Sequence, residues 1–166
     1  KANDNKNEEH EINYRQFNKK LELLNQILSL ISDINQASDE KEVKDCIPAL
    51  LQYTGEYTDA DRVYIFELLS EKQDYYSNTF EWCREGIIPQ IDNLIRISAD
   101  SMPVWHEKFL RGETIIIHDL EKIRETMPSE YDILKVQDIH SLLVLPLFAN
   151  TQLSGFIGLD NPELVN

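Results

Sequence analysis

The chain has 166 residues, 42% of them apolar, and a formal net charge of −14. That length accommodates one domain with a real core plus an extra element. That charge repels phosphate backbones and anionic lipid surfaces, which argues against nucleic-acid and membrane partners.

The opening, Lys1-Ala2-Asn3-Asp4, has no initiator Met and no signal-peptide core, so the chain reads as a piece of a longer protein. No run approaches the roughly 20 apolar residues of a membrane span. Residues 1–10 are polar and aperiodic, as a linker is. From Tyr14 a long helix is expected. Tyr14, Phe17, Leu21, Leu24, Leu28 and Ile31 alternate spacings of three and four, the pattern of a coiled-coil seam. A second stripe, Leu23, Ile27, Leu30 and Ile34, runs beside it. One stripe would pack on the domain's own sheet while the other meets a second copy; alternatively both serve one core.

Ser38-Asp39 caps a second helix, with Glu42 placed for a capping box. Val43, Cys46, Ile47, Leu50 and Leu51 form its apolar stripe, Pro48 predicts a kink or broken turn, and Gly55 is the expected stop. Arg62 to Leu69 reads as a strand, 70–74 as a polar turn, and Tyr75 to Cys83 as a second strand. Strict alternation puts Tyr76, Asn78, Phe80 and Trp82 on one face. That face suits a cavity lining, and equally a plain aromatic core.

An irregular crossing follows from residue 84, with a short strand near Leu94–Ile97. A helix then runs from Ser101 to Leu110, with Pro103 in its first turn. Thr114–Ile117 is a β-branched strand. Residues 129–136 form a short helix capped by Ser129. Ser141 to Phe148 is too short and too apolar for a surface helix and reads as a strand buried on both faces. Asn150-Thr151-Gln152 reverses it into a partner strand through Phe156 and Ile157. Gly155 and Gly158 leave room for close approach, and at Pro146 pairing must lapse on one side. Leu164-Val165-Asn166 leads toward a further helix.

Chemical motifs are sparse. His10, His106, His118 and His140 lack ligand spacing, and Cys46 and Cys83 lack disulfide or metal spacing, so no metal is expected and the thiols suit a reducing cytosol. Neither a phosphate-loop motif nor a Gly-x-Ser-x-Gly elbow occurs.

Ile139-His140-Ser141, the strand through Val144-Leu145-Pro146-Leu147, and Gly155-Phe156-Ile157-Gly158-Leu159-Asp160-Asn161 together resemble the end of a GAF domain, a sensory module of signalling proteins. The likeness extends back to about Glu22. It implies an α+β fold: an antiparallel sheet of five or six strands, helices on both faces, and a long N-terminal helix. Residues 1–20 would be linker and helix start, and 21–166 the sensor domain. The first strand would be central, between the second and the last.

The resemblance further implies a non-catalytic cytoplasmic module that binds a small molecule. It would signal through a homodimerising helix to an effector domain such as a kinase or a cyclic-dinucleotide enzyme. The expected pocket is Phe80, Trp82, Ile97, Trp105, Tyr131, Leu134 and Leu143. Without a Cys in 129–137, a covalent bilin is not expected, and no cyclic-nucleotide signature is found. Two alternatives stay open: a ligand-free transmission module, and a free methionine-sulfoxide reductase, which would require a reactive Cys83.

Overall fold

The computed structural model describes residues 2–69 and 75–163. The expected turn at 70–74 and the expected exit at 164–166 lie outside them. Among the described residues four α-helices and six strands follow in order: α1 (Ala2–Gln36), α2 (Glu40–Thr58), β1 (Arg62–Leu69), β2 (Tyr75–Cys83), β3 (Ile97–Ser98), α3 (Pro103–Leu110), β4 (Ile115–Ile117), α4 (Pro128–Lys135), β5 (Leu142–Ala149) and β6 (Gln152–Asp160). They form one antiparallel sheet of order β3-β2-β1-β6-β5-β4, so β1 lies between β2 and the last strand, as expected.

Helix α1 begins at Ala2, absorbing the segment read as linker. It lies against α2, and α2 lies on β1 and β2, so α1 forms a third layer and does not rest on the sheet. Its two stripes separate. Leu23 is buried, whereas Tyr14, Phe17, Leu21, Leu28 and Ile31 are exposed, Tyr14 at 66% and Phe17 at 64%.

The start of α2 forms as its sequence dictates. Asp39 accepts from the Glu42 amide at 2.9 Å, and the Glu42 carboxylate accepts from the Ser38 amide at 2.7 Å. The helix runs through Pro48 without interruption. It also runs past Gly55, ending at Thr58 with Asp59 in the left-handed region. Gly55 is buried mid-helix because Trp82 of β2 sits on it: a Cβ there would lie 2.0 Å from the indole Cζ3.

Asn150 and Thr151, both at positive φ, turn β5 into β6, the primed geometry that matches strand twist. Gly158 lies under the Tyr64 ring and Gly155 against the Phe66 carbonyl, the close approaches their lack of a side chain permits. Strand β4 pairs with β5 only through Val144, so Pro146 faces no missing ladder partner on that side. β5 is buried on one face only. Leu142 and Val144 enter the core, while Leu145 is exposed because α1 and α2 do not reach over this edge. Helix α4 starts at Pro128, and the residue expected as its cap, Ser129, lies inside it.

Two cores result. The outer one joins Leu51, Ala60, Val63 and Leu159 with Ile47, Ile65, Phe80, Trp82 and Ile157 under α2. The larger inner one gathers Tyr64, Phe66, Tyr76, Trp105, Phe109 and Phe156 beneath α3 and α4. Phe156 stacks on Phe66 at 4.8 Å between ring centres.

Gly55→Ala tests the outer contact. Alanine favours a helix by about 1 kcal/mol, but the clash with Trp82 should reverse that gain and give a net loss of about 1–3 kcal/mol in urea denaturation. Adding Trp82→Leu should recover most of the loss. A midpoint unchanged by Gly55→Ala would show that the indole swings aside freely.

Candidate functional site

The site is a small cavity between the inner sheet face and its cap, and a register shift decides which side chains line it. Opposite β1, Ile65 pairs with Phe80 but Phe66 pairs with Asn78, so Thr79 is an extra residue in β2. A bulge of this kind reverses the alternation of every side chain beyond it. Tyr76 and Asn78 face inward before it, and Glu81 after it; Phe80 and Trp82 are sent outward beneath α2.

The cavity measures about 30 Å³. Its walls include Tyr64, Phe66, Asn78, Ile97, Trp105 and Leu134, with Arg62, Glu81, Gln137 and Asp160 at its polar end. Of the residues expected there, Ile97, Trp105 and Leu134 line it. Phe80 and Trp82 do not, because of the bulge. Leu143 pairs across from Leu159 of the outer core and faces away. Tyr131 is buried beside the cavity, but its hydroxyl turns away to donate to Glu121 at 2.9 Å.

Residues not expected there carry the polar chemistry. Arg62, 6% exposed, donates from Nη1 to Asp160 Oδ2 at 2.8 Å, from Nε to the Ile88 carbonyl at 3.2 Å, and from Nη2 to the Gln137 carbonyl at 3.1 Å. Tyr64 donates to the other Asp160 oxygen at 2.8 Å. Glu81 Oε2 accepts from the amides of Gln90 and Ile91 at 2.9 and 3.1 Å, and its Oε1 accepts from Asn78 Nδ2 at 3.3 Å. Two charged side chains of the sheet thus hold the irregular 84–96 segment by its backbone. The charges stand in the sequence at positions 62, 81 and 160, at or near strand ends, but nothing local sets them apart from Glu67 of β1.

The cap is tied internally as well. Glu130 of α4 is buried, and its Oε1 accepts from the first-turn amides of Val104 and Trp105 in α3 at 2.8 and 3.2 Å, the usual place for a carboxylate at a helix start. Tyr76 OH and His106 Nδ1, one residue further along α3, lie 2.7 Å apart. Burial, with Glu81 nearby, pushes the Cys83 thiol up to about 11. It is protonated at neutral pH, the opposite of what a thiol-based reductase requires. Among the described residues no cluster of His, Cys, Asp and Glu could hold a metal, and no helix is long and apolar enough to cross a membrane.

Burial raises Asp160 from 3.8 to about 6, opposed by its bonds to Tyr64 and Arg62. The folded chain therefore keeps a proton that the unfolded chain loses near pH 4. Stability from this group is full below about pH 4 and is lost as pH rises through about 6, a fall of about 3 kcal/mol at about 1.4 kcal/mol per unit. Subtracting the pH–stability curve of Asp160→Asn from that of the unmodified chain should leave this fall. A flat difference would show that Arg62 keeps the carboxylate ionised throughout.

The GAF domain family matches residues 42–164. The methanogenesis regulatory histidine kinase FilI of Methanothrix harundinacea (strain 6Ac) is 32% identical over 124 residues, which make up 72% of this chain and 14% of that protein. The chain therefore spans only a small part of that relative. Among solved structures, the wild-type photosensory core module of the Stigmatella aurantiaca phytochrome superposes with a TM-score of 0.65 at 16% identity, covering 84% of this chain and 31% of the other. The blue-light-absorbing form of the Thermosynechococcus elongatus PixJ GAF domain gives 0.59 at 20% identity, covering 75% and 73%. A far-red-absorbing dark state with bound biliverdin IXa gives 0.60 at 14% identity, covering 80% of each chain.

These likenesses are of fold, and they correct the expectation against a covalent bilin: this fold holds biliverdin in a solved structure. The lack of Cys in 129–137 rules out attachment at that helix only, and Cys46 and Cys83 stand elsewhere. With the cavity at about 30 Å³, a molecule of that size requires the cap to be displaced. The match over residues 42–164 and the six-stranded sheet agree: the chain belongs to the GAF domain family, generally known as non-catalytic regulatory and sensory modules.

Proposed function

We propose that the chain is the ligand-sensing module of a larger signalling protein and passes ligand state to an effector domain through a dimerising α1. The observation that carries this is the separation of the molecule into two functional faces. A capped cavity with buried polar groups lies on the inner face of the sheet, and an unpaired apolar helical stripe lies beyond the outer face. A cavity is what a small molecule needs, and a seam of Tyr14, Phe17, Leu21, Leu28 and Ile31, with Leu24 half-buried beside it, is what a second copy of α1 needs. The related archaeal protein is a regulatory histidine kinase, which supports a kinase as the effector. The charge and the two unpaired thiols support a cytoplasmic setting without nucleic-acid or membrane partners.

A second reading rests on the cavity volume. About 30 Å³ holds one or two water molecules, so the domain would be a transmission module whose interior is filled by its own aromatic side chains.

Native mass spectrometry of the purified chain, before and after denaturation, separates the two. A small molecule released on unfolding is the outcome expected of a sensor. No released mass from protein taken directly from cells would favour the transmission module. For the helix, Phe17→Glu with Leu28→Glu should convert a dimer to monomer in sedimentation velocity without changing the circular dichroism of the domain. A variant that still dimerises would place the interface elsewhere.

A further inference from the structure

The ionic groups at the polar end of the cavity already have partners within the protein. Each of the three Arg62 nitrogens donates within the protein, both Asp160 oxygens accept, and both Glu81 oxygens accept. One cation faces two carboxylates, so the lining offers no spare positive charge to an anion. Two polar atoms of the lining remain without a hydrogen-bond partner among the described residues: the acceptor Asn78 Oδ1 and the donor Trp105 Nε1. Their residues are 4% and 3% exposed, so bulk water does not satisfy them. Buried polar groups left this way are unfavourable until something pairs with them. The rest of the wall is apolar, with Phe66, Leu94, Ile97, Met102, Leu134 and Phe156 around them.

We propose that the cavity selects a small, uncharged, largely apolar molecule that donates a hydrogen bond to Asn78 Oδ1 and accepts one from Trp105 Nε1, and that it rejects anions. This rests on the sensor reading above and specifies its ligand. In the absence of a ligand, water would fill both roles, and the cavity at about 30 Å³ has room for it. A ligand that displaces that water must reproduce both bonds or lose affinity. Its apolar remainder must press outward on the cap, because the closed volume does not accommodate it.

Four five-membered-ring or small-ion probes separate these requirements. Pyrazole is neutral and carries both a donor and an acceptor, pyrrole only the donor, furan only the acceptor, and acetate is an anion. The chain has two tryptophans, Trp105 in the cavity and Trp82 on the outer face, so their indole N–H resonances report the site and a control in one ¹⁵N–¹H spectrum. Pyrazole should shift the Trp105 indole signal, leave that of Trp82 in place, and bind at least tenfold more tightly than pyrrole or furan. Asn78→Leu should weaken pyrazole at least tenfold and leave furan unchanged. If that variant does not fold, the ranking of the three rings on the unmodified chain decides.

Acetate binding as tightly as pyrazole, or pyrrole and furan matching it, would overturn the proposed selectivity while leaving a ligand cavity in place. No probe moving the Trp105 signal would overturn the site, while a small molecule released in native mass spectrometry would still uphold the sensor reading.

Discussion

The Arg62 guanidinium is the contact on which the rest of the inner face depends. From the first position of β1 it reaches β6 through Asp160, the 84–96 segment through the Ile88 carbonyl, and the end of α4 through the Gln137 carbonyl. Two of these three are backbone acceptors in segments with no regular partner of their own, so the guanidinium holds chain that no ladder holds. A buried ion pair adds little net stability, since desolvation offsets the attraction. Its value here is positional: an apolar residue at 62 could fill the same space, but nothing would fix where the cap lies. Asp160, which burial raises to about 6 despite its bonds to Tyr64 and Arg62, shows desolvation outweighing the attraction at this pair.

The strand content was legible because composition and periodicity agree there. β1 and β2 occupy the bounds that apolar runs and polar turns indicate, and the Asn150-Thr151 turn announces the last hairpin. Side-chain facing was less legible, and β2 shows why. Alternation in Tyr75–Cys83 is unbroken in the sequence, so Phe80 and Trp82 read as companions of Tyr76. Only the pairing with β1 reveals Thr79 as the extra residue, and nothing local to the strand marks it. Gly55 misled for a related reason. A glycine near a helix end resembles a stop, but what selects it is an indole from another element.

The bulge also joins the two faces. On one strand, Glu81 holds the amides of Gln90 and Ile91 in the cap, while Phe80 and Trp82, its immediate neighbours, lie in the outer core with α2. Trp82 rests on Gly55 with no slack, and α2 in turn carries α1. A displaced cap that pulls on Glu81 therefore acts two or three contacts from the helix with the exposed apolar stripe. Contiguity alone is not coupling. What makes it consequential is that each contact is close-packed or hydrogen-bonded to backbone, so small shifts are not absorbed by side-chain rearrangement.

The size of the cavity sets the terms of that coupling. A ligand biases two states only by its differential affinity for them. A preformed, roomy pocket could be filled without moving anything, and occupancy would then carry no message. At about 30 Å³ the cavity holds no more than a few waters with the cap in place. Under the sensor reading, binding would then select a displaced cap. The opposing cost lies in the bonds from Arg62 and Glu81 to segments 84–96 and 135–138, and in the Glu130 clasp between α3 and α4. Weakening the Glu130 clasp, which lies outside the cavity wall, should raise apparent affinity and shrink the difference between free and bound states. A tight cavity and a latched cap are therefore two halves of one device.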